Sequence, residues 1–344
     1  MTTPHPRVIL VYKNFAAYKG ISHIGLGVSA MKNAQMLNDH GIPAQVVPAQ
    51  NNIDIDKAID HYNKTNPSPL TNVIISAPWI STRDLRALAH RHKKINFAIV
   101  SHSNVGFLQA DPNGVRLLRE GLHLSQEVKN FSVAGNCAKF TDWLREAYGI
   151  PVWTLPNMYQ STTKAKPWEG NKIRIGSFGA VRPQKNLMSA AAAAVAISQM
   201  LNRHTEFFYS SGRDEGGSQT IANAIHQMTN NVHNFTLGRI PWRLHQSFTD
   251  VVRSMDLLIM ASYTESFNMV TADAIDNGVA VVVSPAIYWA PPSWMANSDD
   301  VLEMAECGIK LLQKMTLRKK GLSALKKHNN EALDNWIEYL TKPR

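Results

Sequence analysis

The sequence predicts an α/β protein of two domains, each built on a parallel sheet. Two observations carry this. Short apolar segments alternate with helical stretches in two successive series. A polar, aperiodic segment at residues 160–171, containing Pro167 and Gly170, separates the series. Strands that alternate with helices pair in parallel and are covered on both faces. A chain of 344 residues has room for two such domains.

In the first series the strands are expected at residues 8–12, 45–48, 72–77, 96–100, 131–135 and 152–155. Helices are expected between them, at residues 27–40, 81–92, 114–126 and 138–148. Ser81 has the chemistry of an N-cap, with Asp84 three residues on. Gly41 and Gly149 stand where helices end. The second series has strands at 173–178, 205–209, 234–237, 256–262 and 280–284. Its helices are expected at 186–201, 244–255 and 270–277, with two or more across 301–340. The expected division is 1–160, 161–325, and a terminal helix at 326–344, around Trp336, that packs back on the first domain.

Composition narrows the function classes. Apolar residues make up 44% and charged residues 18%, which excludes a disordered chain. No apolar run approaches the roughly 20 residues of a spanning helix, and residues 8–12 are too few for a signal peptide core. The expectation is a cytoplasmic protein. Cys137 and Cys307, the only cysteines, form neither a disulfide framework nor a zinc cluster. The net charge of +10, with basic concentrations at residues 83–94 and 318–327, suits anionic partners, though solvated basic faces are its simplest meaning.

The segment 261–284, ASYTESFNMVTADAIDNGVAVVVS, carries the most chemistry. An apolar strand ends, a polar loop presents Glu265, and a helix begins at once. Free amides at a helix start, with the positive end of its dipole, form an anion site. A diphosphate is expected on the backbone of Phe267, Asn268 and Met269, beside Ser266. Glu265 would reach sugar hydroxyls, and Asp273, two turns on, would accept from ribose hydroxyls. A second segment, 173–186 (IRIGSFGAVRPQKN), is a strand, a loop and a helix start. Gly179 lets a ligand approach the backbone. Arg182 and Lys185 supply cations for a departing phosphate.

These segments resemble glycosyltransferase family 4 and its GT-B relatives, whose signature is an acid, seven residues, then a second acid. Here the acids are Glu265 and Asp273, where the family usually has Glu at the second position, and Asn268 replaces its usual Gly after the aromatic. Lys185 matches the family's lysine; Ala180 stands where the family has arginine, so Arg182 is its expected substitute. Segment 209–212 (YSSG), with Gly212, and segment 237–242 (LGRIPW), with Arg239 and Ile240, resemble the flanks of the family's base pocket. Pro156-Asn157 resembles the family's turn into the linker.

In the first half, Gly25 and Gly27 fit a dinucleotide-type glycine pattern. The long preceding loop, and the lack of an acid after the second strand, disfavour NAD. The resemblance sets these glycines against donor phosphates. It also makes His102 a catalytic candidate facing an interdomain cleft, with His23 a weaker one.

The resemblance therefore implies two Rossmann-like domains facing each other across a cleft. It implies sugar transfer from a nucleoside-diphosphate sugar to a hydroxyl, with retention and without metal or resident cofactor. Acceptors consistent with the sequence are a saccharide, a glycolipid, or hydroxymethylated bases in DNA, as in phage-type members acting in a host cytoplasm. A same-fold sugar-nucleotide epimerase or phosphorylase, and a non-catalytic nucleic-acid-binding protein, are the other readings. The sequence leaves the oligomeric state open.

Overall fold

The computed structural model of the protein describes residues 5–14, 24–212 and 216–342. The chain divides into two compact units, one of residues 1–160 with 329–344, the other of residues 161–328.

The first unit holds a six-stranded sheet of β1 (Val8–Lys13), β2 (Ala44–Ala49), β3 (Asn72–Ser76), β4 (Asn96–Ser101), β5 (Phe131–Gly135) and β6 (Trp153–Thr154). Its order is β2-β1-β3-β4-β5-β6, parallel throughout. β3, β4 and β5 are buried along their whole length, which is why they read as continuous apolar runs without alternation. The helices are α1 (Ile24–Asp39), α2 (Asn52–Thr65), α3 (Thr82–Arg91), α4 (Val105–Leu108), α5 (Pro112–Glu127) and α6 (Ala138–Tyr148). Ser81 caps α3 by accepting from the Asp84 amide, and Gly149 ends α6 at φ 63°.

Sequence reading assigned no helix at α2. Its apolar face is Ile55, Ile59 and Tyr62, all buried, and Asn51 caps it by accepting from the Asp54 amide. β-branched isoleucines among Asp and Asn give weak helix propensity, and tertiary burial of that face overrides it.

The second unit holds β7 (Ile173–Ser177), β8 (Thr205–Ser211), β9 (Phe235–Pro241), β10 (Leu257–Met260) and β11 (Ala280–Val283). They pair in parallel in the order β11-β10-β7-β8-β9. Its helices are α7 (Leu187–Leu201), α8 (Ser218–Thr229), α9 (His245–Arg253), α10 (Met269–Asp276), α11 (Val301–Gln313) and α12 (Met315–Arg318). α8, like α2, went unassigned from sequence. α7 packs with α8 and α11, and α9 packs with α10. The strand order reverses at β7, so right-handed crossovers carry these two groups to opposite faces.

The segment that opens the second unit at Ser161 is fastened to that unit. The Lys166 amide donates to the Gly278 carbonyl at 2.9 Å. Gly278 sits at φ 73°, and a Cβ there would lie 2.7 Å from the Lys164 carbonyl oxygen. Arg318, assigned from sequence to a solvated basic cluster, is only 2% exposed. Its guanidinium donates to the carbonyls of Lys166, Leu311 and Asp256, which satisfies a group that burial would otherwise penalise.

A last helix, α13 (Lys320–Thr341), contributes its residues from Asn329 onward to the first unit. Trp336 is 1% exposed there, and its indole donates to the Pro156 carbonyl at 2.8 Å. Asn157 accepts from the Ser29 hydroxyl at 2.5 Å. Both cysteines are buried free thiols. No helix among the described residues is long and apolar enough to cross a membrane.

Candidate functional site

All five strands of the second sheet run the same way, so the loops after them leave a single edge. Strand order reverses between β7 and β10, the place where open parallel sheets commonly bind ligands. The loop after β7 carries Gly179, Arg182 and Lys185; the loop after β10 carries Glu265. Between the two loops, the Tyr263 amide donates to the Gln184 carbonyl at 2.9 Å.

Lys185 and Glu265 meet there, with Nζ 2.5 Å from Oε1 and side-chain exposures of 17% and 9%. Lys185 ends a short 3₁₀ turn (Pro183–Lys185) whose first residue, proline, fixes its geometry. Gly179 adopts φ 122°, a conformation closed to other residues without strain, and its amide donates to the Ser210 hydroxyl at 3.1 Å. A Cβ on Gly179 would lie 3.6 Å from Lys185 Cε, so the glycine also leaves space beside the ammonium. Arg182, partly buried, precedes the 3₁₀ turn.

Burial opposes ionisation of Glu265. The Lys185 ammonium, with hydrogen bonds from Lys185 and Asn268, outweighs it and holds the carboxyl below its ordinary value. Asn268 explains one departure from the expected pattern. It adopts φ 68°, a position suited to glycine and, among other residues, best tolerated by asparagine. Its Oδ1 accepts from the Thr271 amide at 2.9 Å and hydroxyl at 3.0 Å, capping α10, and its Nδ2 donates to Glu265 at 2.9 Å. A glycine would satisfy the backbone and supply none of these bonds. Helix geometry leaves the amides of Met269 and Val270, at the start of α10, without partners inside the helix.

The Phe267 side chain is an anchor, 1% exposed, stacked on Trp289 with centroids 5.1 Å apart. The Trp289 indole donates to the Phe267 carbonyl at 2.6 Å, and the His328 ring lies 5.2 Å from Phe267. Ser266, partly buried, precedes this anchor. Sequence reading missed Trp289, which fixes the loop from a distance of 22 residues.

Asp273 is 2% exposed, and its Oδ1 lies 2.8 Å from His245 Nε2. His245 was also missed; no spacing rule links residues 28 apart on different helices. Gly212 follows β8 beside Trp242. Arg239, exposed, and Ile240, partly buried, lie near the end of β9, with the Arg239 guanidinium 5.9 Å from the Tyr209 ring centre.

The remaining candidates are in the first unit. Gly25 is exposed in the first turn of α1. Gly27 is buried, and a Cβ on it would lie 3.1 Å from the Tyr12 ring, so close packing accounts for it. His23 lies outside the described residues. His102 follows β4, its Nδ1 3.3 Å from Asn136 Nδ2, and burial pulls its pKa down to about 4. Among the described residues, one group of acidic and imidazole side chains is close enough to share an ion: Asp56, Asp60 and His92 of the first unit, where Arg91 also binds Asp56.

No protein-family model matches the chain, and no curated protein matches it in sequence. Solved structures do resemble it. Trehalose-6-phosphate synthase OtsA aligns over 98% of this chain and 99% of its own, with TM-score 0.64 and 12% identity. Anabaena HepE, in complex with UDP and glucose, aligns over 97% of this chain and 100% of its own, with TM-score 0.62 and 12% identity. A Staphylococcus aureus TarM mutant, in complex with fondaparinux, α-GlcNAc-glycerol and UDP, covers 79% of this chain at TM-score 0.57 and 13% identity. This chain spans 55% of that TarM chain, little more than half. In fold, this protein shares the GT-B class of these glycosyltransferases, two α/β units each built on a parallel sheet.

Proposed function

We propose that this protein is a glycosyltransferase that binds a nucleoside-diphosphate sugar at the carboxyl edge of its second sheet and moves the sugar to an acceptor hydroxyl. The observation that carries this reading is the Lys185–Glu265 pair at the strand-order reversal, beside the start of α10. The fold likeness to HepE, whose structure holds UDP and glucose, supports it.

In this reading the diphosphate rests on the amides that open α10 and against Lys185, with Arg182 as a second cation. Glu265 turns to the hydroxyls of the sugar. The base lies toward Gly212, Arg239 and Ile240, and the ribose toward Asp273. During transfer the bond from the sugar's anomeric carbon to the β-phosphate oxygen breaks. A bond to the acceptor oxygen forms, and the acceptor's proton passes to solvent. The leaving nucleoside diphosphate gains negative charge, which Lys185, Arg182 and the helix start stabilise. Fixed cations would do this without a metal, and no resident cofactor is needed. Retention of configuration is part of the proposal. Gly25, Gly27 and His102 are assigned to the acceptor-bearing unit; His102, held neutral at physiological pH by burial, is suited to hydrogen bonding rather than to charge.

A saccharide or glycolipid is the acceptor proposed, with a hydroxymethylated base in DNA as the alternative that the net charge of +10 favours. Incubation with UDP-sugars and each acceptor class, with product analysis, tests the reading. Transfer that is lost in Glu265→Ala supports it. Donor turnover without any acceptor hydroxyl would point to a sugar-nucleotide epimerase or phosphorylase. Salt-sensitive DNA binding without nucleotide-sugar binding would point to a nucleic-acid-binding protein.

A further inference from the structure

The Asp273 side chain is 3% exposed, whereas that of its partner His245 is 27% exposed. The carboxylate that the sequence offers to a ribose is thus covered by an imidazole that itself reaches the surface. A carboxylate accepts, so His245 Nε2 donates across the 2.8 Å contact. In the neutral ring Nδ1 is then an acceptor. Among the described residues it has no hydrogen-bond partner.

The position of this ring matters as much as its chemistry. His245 is the first residue of α9, four residues after the end of β9, which carries Arg239 and Ile240. The end of β8 adjoins the same loop: a Cβ on Gly212 would lie 3.7 Å from the Trp242 amide nitrogen. On its other side His245 touches α10, which opens directly after the Glu265 loop. His245 therefore stands between the loops assigned to the base and the helix assigned to the diphosphate. In a nucleoside diphosphate, covalent structure puts the ribose in that place.

We infer that His245, oriented by Asp273, is the ribose-binding residue: Nδ1 accepts a hydrogen bond from a 2′- or 3′-hydroxyl. Asp273 is a positioning residue that fixes the tautomer and direction of the ring. This rests on the donor site proposed above and changes which atom reads the sugar of the nucleotide. The shorter aspartate, in place of the glutamate expected from the resemblance, fits a carboxylate that needs to reach only a neighbouring side chain.

The test is calorimetric titration of the full chain with UDP and with 2′,3′-dideoxy-UDP. Wild type should prefer UDP on the order of ten-fold, the size of one or two hydrogen bonds. His245→Ala and His245→Phe should bind both compounds equally, at the affinity wild type shows for the dideoxy compound. That retained affinity also reports an intact fold. Asp273→Ala should lose most of the preference, and Asp273→Asn, which keeps an acceptor oxygen, should restore it. A merely structural role for either residue would weaken both ligands together and leave the ratio unchanged. Full preference for UDP in both His245 variants would overturn the assignment, as would equal binding of the two ligands by wild type. Binding of neither ligand, nor of any other nucleoside diphosphate, would instead remove the donor site itself, and this inference with it.

Discussion

Lys185 and Glu265, 80 residues apart in sequence, meet at 2.5 Å on the loops that follow the paired strands β7 and β10. The pair places a cation and a carboxylate together at the carboxyl edge of the second sheet, each offsetting the other's cost of burial. Asn268 adds a second contact to the same carboxylate oxygen, and the stack of Phe267 on Trp289 anchors the loop beneath it.

Replacing Glu265 by Gln should separate chemistry from binding. Removing its negative charge relieves repulsion toward a diphosphate, so affinity for UDP should stay level or rise. Transfer should fall by about 100-fold or more, because hydrogen bonding to the reacting sugar is weakened. Calorimetry and turnover on the same preparation check both halves.

The ion pair predicts coupled stability. Lys185→Ala leaves a carboxylate with little exposure and no cation, and Glu265→Ala leaves a partly buried ammonium. Each should cost about 2–3 kcal/mol, and the double variant should cost about 1–3 kcal/mol less than the sum. Urea unfolding of the four proteins measures the coupling; additivity would show that the pair contributes nothing.

Trp289→Phe keeps an aromatic stack on Phe267 and removes the indole donor. It should cost about 1 kcal/mol, plus the unmet carbonyl of Phe267. Gly278→Ala forces a Cβ to within 2.7 Å of the Lys164 carbonyl oxygen in a left-handed conformation, and should lower stability by about 2 kcal/mol or more. Thermal unfolding should rank both below wild type.

His102 predicts an acid-sensitive window. Burial pulls its pKa from 6.5 to about 4, so between these values the unfolded chain takes up a proton that the folded chain refuses. Stability should fall as pH drops through that window, by at most about 3 kcal/mol in total. Glu265 acts lower: its depressed carboxyl contributes stability above its unfolded value, lost as pH falls through the folded one. His102→Gln should flatten the loss between pH 6.5 and 4 while leaving the lower limb; an unchanged profile would contradict the assignment.

The sequence made the frame legible because buried parallel strands are short apolar runs bounded by polar punctuation. The Ser81 cap and the Gly149 terminus also announced themselves through local chemistry. α2 and α8 escaped because their apolar stripes are narrow and interrupted by Asn, Asp, Thr and His. At the site, Lys185 and Glu265 stood out through the loops that carry them. His245 and Trp289 did not, because their contacts with Asp273 and Phe267 depend on how α9 and the segment after β11 pack, which no local spacing encodes. Arg318 looked like surface charge because nothing local shows that three carbonyls wait for it.

The most direct measurement is the thermal midpoint of wild type and Lys185→Ala with rising UDP, since a ligand bound only by the folded state raises the midpoint by linkage. The wild-type midpoint should climb with UDP concentration, and Lys185→Ala should need at least about ten-fold more for the same rise. A wild-type midpoint indifferent to UDP and to every other nucleoside diphosphate, or a variant as responsive as wild type, would contradict the account.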